Sequence, residues 1–321
     1  MTAPSLPLHE AHEATKSISV VICCYTQQRR RSLADAAETA LGQLAPGDEL
    51  ILVVDGNDVL YRDLCTSYGE GVTITQNTFD RGLSGARNTG LETASGDVIV
   101  FLDDDARLRP AALDCVRSVF ADSAITALGG AVHPSWGAGA RPSWFPPEFG
   151  WVVGCDYRGL PSDGATIRNP IGAAMAVRRT DLAEVGGFSS RLGRVGTLPT
   201  GCEETMMGIA LAQRDPSTRI IRRTSFAVSH DVPGDRATVR YFVRRCFHEG
   251  RSKAMLTRLC GHRSSLESER AYTTRTLPSG LWHARRQPAR MLALTGGLLV
   301  TAAGYAVGLI HTAQARKEPS C

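Results

Sequence analysis

The sequence is defined first by what it lacks. None of its nine cysteines forms a C-x-x-C pair, and the number is odd. A zinc ribbon, a thioredoxin-type redox pair and a disulfide framework therefore have no support, and reduced thiols in a cytosolic compartment are expected. No G-x-G-x-x-G follows the first strand-like run, which removes a nicotinamide dehydrogenase. No G-x-G-x-R loop appears early, so the chemistry is not that of making sugar nucleotides. The opening seventeen residues, "MTAPSLPLHEAHEATKS", are polar and carry no apolar core of a secretory signal. A flexible N-terminus over 1–17 is the expectation. Internal repeats are also missing. With 43% hydrophobic and 21% charged residues, general disorder is excluded as well.

Strand-like runs alternating with helical spacing are what the sequence does contain. "ISVVICC" (18–24), "DELILVVDG" (48–56) and "VTITQN" (72–77) read as strands, and "SLADAAETALGQL" (32–44) has helical spacing of its apolar residues. "GLSGARNTGLETA" (82–94) reads as a glycine-rich turn entering a helix. Next comes "GDVIVFLDDDARLRP", a short apolar strand running straight into Asp103, Asp104 and Asp105. This alternation indicates βαβ units and a mostly parallel sheet, an α/β fold whose ligands lie beyond the carboxyl ends of the strands. Asp55 and the aspartate triplet both fall there. Past residue 130, a stretch rich in Pro, Gly and aromatics predicts loops. "IGAAMAVRRTDLAEVGGF" (171–188) then predicts a strand and a short helix, and "GCEETMMGIALAQR" (201–214) a helix with two glutamates in its first turn.

Three adjacent like charges after a buried strand repel unless something positive sits beside them. A hard divalent cation, Mg²⁺ or Mn²⁺, suits such a cluster and would bridge it to a diphosphate. Asp103 and Asp105, two positions apart, share one side of an extended segment, with Asp104 turned away. An aspartyl-nucleophile phosphatase would instead need its aspartates after the first strand, which here ends in "CCYT".

Net charge is +4, with Arg and Lys concentrated after residue 214. Anionic lipid or a phosphorylated substrate fits that half, and nucleic acid fits least because the first half holds the acidic cluster. Residues 291–310, "MLALTGGLLVTAAGYAVGLI", are uncharged and about long enough to cross a hydrocarbon core. The expected organisation is a catalytic domain over 18–260, a basic juxtamembrane linker over 261–288, a transmembrane helix over 289–311 and a tail over 312–321. Arg285, Arg286 and Arg290 before the apolar run point to a single-pass membrane protein with its main domain in the cytoplasm. Gly304 and Gly308 have G-x-x-x-G spacing, which could pair two such helices in a homodimer.

The ordered set "SVVICCYTQQRRRSL", "LILVVDGND", "RGLSGARNTGLETASGDVIVFLDDD", "AVRRTDLAEVGGF" and "GCEET" resembles the inverting family 2 glycosyltransferases. "WVVGC", "YRGLP" and "RRCFHEGRSKA" resemble more narrowly the glucosyl-dolichyl-phosphate glucuronosyltransferase branch. The resemblance implies a GT-A fold and metal-dependent transfer from a nucleotide-diphospho-sugar. UDP-glucuronate is one such donor, and a lipid-linked or glycan-precursor hydroxyl is the acceptor. It implies that Tyr25, Thr26 and Asp55 hold the nucleotide base and that Arg87 approaches the diphosphate or base. Asp103 would contact the ribose, with Asp104 beside it in the nucleotide-sugar site. Asp105 would hold the metal with Asp103, and His230 would be a further ligand. Glu204 would be the catalytic base, with Glu203 assisting. Relatives usually carry Asp at the position of Glu204, and often Asn at that of Ala174. A membrane-anchored binding module without catalysis, or a GDP- or dTDP-sugar transferase for a cell-envelope glycan, is the alternative.

Overall fold

The computed structural model describes residues 16–137, 139–193, 201–261 and 267–314. Most of the expected flexible N-terminus and of the tail lies outside them. Eight strands form one sheet in the order β3-β2-β1-β4-β7-β6-β8-β5. The first half is wholly parallel: β1 (Ile18–Cys24) lies between β2 (Glu49–Val54) and β4 (Val98–Asp103), and β2 pairs with β3 (Val72–Gln76). Helices α1 (Arg30–Leu41), α2 (Asp58–Ser67) and α3 (Leu83–Thr93) make the crossovers.

Alternation of side chains along the strands builds a core on each face. Ile18, Val20 and Ile22 of β1 join Val98, Val100 and Leu102 of β4 beneath Leu33, Ala36 and Ala40 of α1. Val21, Ile99 and Phe101 face the opposite way, towards Ala86 of α3. Helix α3 can pack so closely because Gly90 lacks a Cβ, which would overlap the Val21 side chain of β1.

The second half breaks the parallel pattern. Strand β7 (Ala174–Arg178) is antiparallel to both β4 and β6 (Ile125–Trp136). Strand β8 (Arg219–Val232) runs parallel to β6 and antiparallel to the short β5 (Ala106–Leu108). Strand β6 extends through His133 to Trp136, into the stretch where proline and glycine had predicted loop. Helices α4 (Ala112–Phe120), α5 (Arg179–Glu184) and α6 (Glu203–Arg214) complete the layers.

The C-terminal part is helical. Helix α7 (Val239–Cys260) is followed by α8 (Glu267–Ala271), a π-turn over Tyr272–Thr276, α9 (Leu277–His283) and α10 (Pro288–Gln314). The segment expected as a linker is therefore largely structured among the described residues. Tyr272 donates to the Glu148 carbonyl, and Leu277 is buried. Helix α10 runs beside α7 in the same direction: Gly297 meets Phe242, Gly304 meets Phe247, and Gly308 meets Arg251 and Ala254. A Cβ on Gly304 would overlap the Phe247 carbonyl, and one on Gly250 the Thr301 carbonyl. The small-residue spacing at 304 and 308, expected to join two chains, packs two helices of one chain.

Candidate active site

Strands β1, β2 and β4 end side by side, so the residues that follow them share one cleft. Asp55, just past β2, anchors its backbone N–H on the Cys24 carbonyl at 2.8 Å. Its carboxylate accepts from Asn77 Nδ2 at 2.8 Å and from the Gly82 N–H at 3.0 Å. Tyr25 is exposed at the end of β1 and lines the cleft, with the Arg29 guanidinium 5.9 Å from its ring centre. Thr26 is placed otherwise. Its hydroxyl caps a short 3₁₀ turn by accepting from the Gln28 N–H, and it is not among the cavity-lining residues.

The aspartate triplet divides as its spacing implies. Asp104 turns to Arg29, with Nη1 to Oδ1 at 2.7 Å. Burial, only partly offset by Arg29, pushes its carboxyl up to about 6. Asp103 and Asp105 turn to His230. The imidazole Nε2 lies 3.1 Å from Asp105 and 3.9 Å from Asp103. This meeting is a consequence of register, since Ala106 of β5 pairs directly with His230 of β8. Asp105 also faces Arg29 at 3.1 Å and Arg236 at 3.4 Å. Burial by itself would raise its pKa. His230 and the two arginines outweigh burial and hold the carboxyl well below the usual range. Burial likewise disfavours the charged imidazole, yet Asp105 raises His230 to about 10.

One oxygen or nitrogen from each of Asp103, Asp105 and His230 falls within a span of 4.8 Å. Two carboxylates and an imidazole fit a divalent cation.

Across the cleft, α6 begins with Glu203 and Glu204, directly after Cys202 at φ 76°, a left-handed backbone that a non-glycine residue seldom adopts. Arg87 of α3 links this pair to the triplet. Its guanidinium lies 3.0 Å from Glu204, 3.5 Å from Glu203 and 3.7 Å from Asp103. Only 2% exposed and packed against the rings of Phe101 and Phe188, it pairs with carboxylates on both sides and still lines the cavity. Gly172, in the turn before β7, leaves room for this pairing, since a Cβ there would overlap the Glu204 carboxylate.

A cavity of about 1130 Å³ is lined by Tyr25, Arg29, Asp55, Arg87, the three aspartates, both glutamates and Arg236. Thr26 and His230 are not among its lining residues, and His230 is buried beside Asp105. The far wall of the cavity is built by α7 to α10, including Arg245, Lys253, Tyr272, Leu298 and Tyr305. Lys253 and Arg168 both grip Glu269 there, at 2.5 and 2.9 Å. Sequence reasoning missed Arg29, Arg236 and Arg87's link to the glutamates. The arginine run "QQRRR" after β1 was the one available signal, because only tertiary structure brings Arg236 to Asp105.

A parallel half-sheet with a D-x-D at the end of β4, faced by an acidic pair at a helix start, defines a nucleotide-sugar transferase. The chain belongs to glycosyl transferase family 2, whose description matches residues 19–186. It is a glycosyltransferase of GT-A fold that uses a nucleotide sugar. It is 32% identical to the glucosyl-dolichyl phosphate glucuronosyltransferase of Haloferax volcanii over 242 residues, 74% of this chain and 77% of that one. An uncharacterized glycosyltransferase of Nostoc is 31% identical over 35% of each chain. A mannosyltransferase from Pyrobaculum calidifontis, solved with GDP-Man and Mn²⁺, superimposes with a TM-score of 0.55 at 18% identity. That match covers 92% of this chain and 84% of the other.

Proposed function

We propose that the protein is an inverting, metal-dependent transferase that moves a sugar, glucuronate in the first instance, from UDP to a hydroxyl of a lipid-linked acceptor. The observation carrying this is the position of Glu204, joined through Arg87 to the D-x-D across one cavity. The relative's glucuronosyltransferase name supports the donor, and its dolichyl-phosphate acceptor supports a lipid-linked one.

Asp55 and Tyr25 hold the base, and Asp103 the ribose. A Mn²⁺ or Mg²⁺ held by Asp103, Asp105 and His230 would supply the charge that neutralises the departing diphosphate. Glu204 takes the acceptor hydroxyl proton as that oxygen attacks the anomeric carbon. The bond from that carbon to the diphosphate oxygen breaks on the opposite face, and the nucleoside diphosphate leaves with the electron pair. Glu203 shares the Arg87 guanidinium and so helps fix where Glu204 points. The apolar α10 attaches the enzyme to the cell membrane, with the catalytic domain in the cytoplasm.

Incubating radiolabelled UDP-glucuronate with a polyprenyl-phosphate-linked glucose tests this, with and without Mn²⁺. Metal-dependent radiolabel in the lipid phase is expected. Consumption of GDP- or dTDP-sugars with UDP-glucuronate untouched would displace the donor assignment. Binding of nucleotide sugars with no turnover under any condition would leave a non-catalytic module.

A further inference from the structure

Helix α10 is long and apolar enough over Pro288–Ile310 to cross a membrane. It does not, however, project away from the domain. It is docked on α7 from Gly297 to Gly308, and Tyr305 reaches Thr257 of α7 at 3.3 Å. Helix α7 is in turn fastened to the catalytic domain at its far end, where Leu256 is buried with Leu192, Cys202 and Ile209. The apolar helix therefore lies along the flank of the domain.

Its outer face is bare and apolar. Leu292 is 72% exposed and Leu299 69%, with Leu309 and Ile310 exposed beyond them. A shallow groove joins this face to α7, lined by Val239, Arg240, Val243 and Phe247 on one side and Val300 and Ala303 on the other. Arg240 and Arg251 stand exposed on α7. Ahead of α10, Trp282 is 68% exposed, with the Arg285 guanidinium 4.8 Å from its ring centre. Apolar side chains of α10 bordered by the arginines of α7, with an exposed tryptophan shortly before α10, match the boundary between acyl chains and anionic headgroups.

We propose that α7 and α10 together form a seat that lies in the plane of an anionic membrane surface, with α10 embedded along its length and not crossing the bilayer. Crossing in the docked arrangement would carry α7, with Arg240, Arg244 and Arg251, and the adjoining edge of the domain into hydrocarbon, where charged side chains are costly. Crossing after undocking would strip the buried Phe242, Cys246 and Gly250 of their cover. The seat needs neither. It also brings the cavity to the membrane surface along one wall, because Leu298, Ala302 and Tyr305 of α10 line it. The proposal takes its partner from the membrane attachment described above, but it concerns the mode of attachment, and its tests do not read catalysis.

The full-length chain, tagged at both ends, is expressed, and sealed membrane vesicles are treated with external protease. Both tags are expected to be lost together or protected together. Loss of one with protection of the other overturns the in-plane seat, as does full-length protein found soluble without detergent. A second measurement uses purified protein and vesicles of phosphatidylcholine with or without phosphatidylglycerol. Leu292→Glu with Leu299→Glu should lower binding at least about tenfold. Arg240→Glu with Arg251→Glu should lower binding to anionic vesicles by about fivefold or more per arginine at low salt, a loss that shrinks at high salt. Equal binding of the intact protein to neutral and anionic vesicles would overturn the role of the arginines. If the leucine variants only convert a dimer to a monomer while vesicle binding persists, the face belongs to a second copy of the chain. Nucleotide-sugar hydrolysis in detergent, followed in parallel, reports on the reaction alone.

Discussion

The two walls of the cavity are built on different principles. The donor wall is a row of strand ends whose charged groups are already matched to one another: Asp55 to Asn77 and Gly82, Asp104 to Arg29, Asp105 to His230 and Arg236. The far wall is a set of helices whose cavity face mixes tyrosines and leucine with cations held by Glu249 and Glu269. A preorganised charge lattice suits a ligand whose charge is fixed in place, such as a diphosphate. An amphipathic wall suits one that is apolar at one end and polar at the other. Under the proposed function, the two substrates would be separated by the physical character of the surfaces that receive them.

Perturbing the donor wall should have the largest effects. Asp105→Asn removes one charged ligand oxygen from the cluster, and metal-dependent transfer should fall by about 10³-fold or more. A Mn²⁺ titration of the variant checks this, and normal turnover with normal metal dependence would remove Asp105 from the metal site. Glu204→Gln keeps the shape but cannot take a proton, so turnover should fall by roughly 10²-fold with donor binding retained. Donor affinity by calorimetry alongside turnover reads both. If Glu203→Gln is the inactive variant, the two glutamates exchange roles.

The far wall should respond differently. Ala302→Trp fills the α10 side of the cavity and is expected to raise KM for a lipid-linked acceptor by about tenfold. Hydrolysis of the nucleotide sugar without acceptor should be unchanged. A matching loss of hydrolysis would show that the walls are not separable.

The smallest effect lies in the Glu269 cluster. Burial would raise this carboxyl, but Lys253 and Arg168 hold it down at about 2, against an ordinary value of 4.5. Because the folded value is the lower one, the stabilisation is complete above about pH 4.5 and disappears as pH falls through about 2. Glu269→Gln should therefore cost about 1–2 kcal/mol at neutral pH and flatten the acid limb of a stability profile. Parallel acid limbs for the two proteins would remove Glu269 as its source.

The donor wall was largely legible in the sequence because its chemistry lies on continuous segments. A five-residue apolar strand closing on three aspartates reads the same on paper as in the fold, and α6 starts where "GCEET" predicted. The position of His230 beside Asp105 was available only through the resemblance, since it depends on β5 pairing with β8 from the other end of the domain. The resemblance assigned Arg87 to the diphosphate or base. Its pairing with Glu203 and Glu204 was not legible, because they come from α6, more than a hundred residues on. The far wall was scarcely legible. Residues 267–283 are polar enough to pass for a linker, and they become helical by packing Leu277 and Tyr272 against the domain. Gly304 and Gly308 carried a recognisable spacing but no indication that their partners were Phe247, Arg251 and Ala254 of the same chain.

Arg87 has a thermodynamic consequence. One rigid, planar cation touches Asp103 on the donor side and Glu204 on the acceptor side. A donor that shifts Asp103 changes the field and geometry in which Glu204 receives an acceptor. Free energy is a state function, so whatever factor bound donor adds to acceptor affinity, bound acceptor must return to donor affinity. Cooperativity between the two substrates, equal in both directions, would then pass through a single guanidinium.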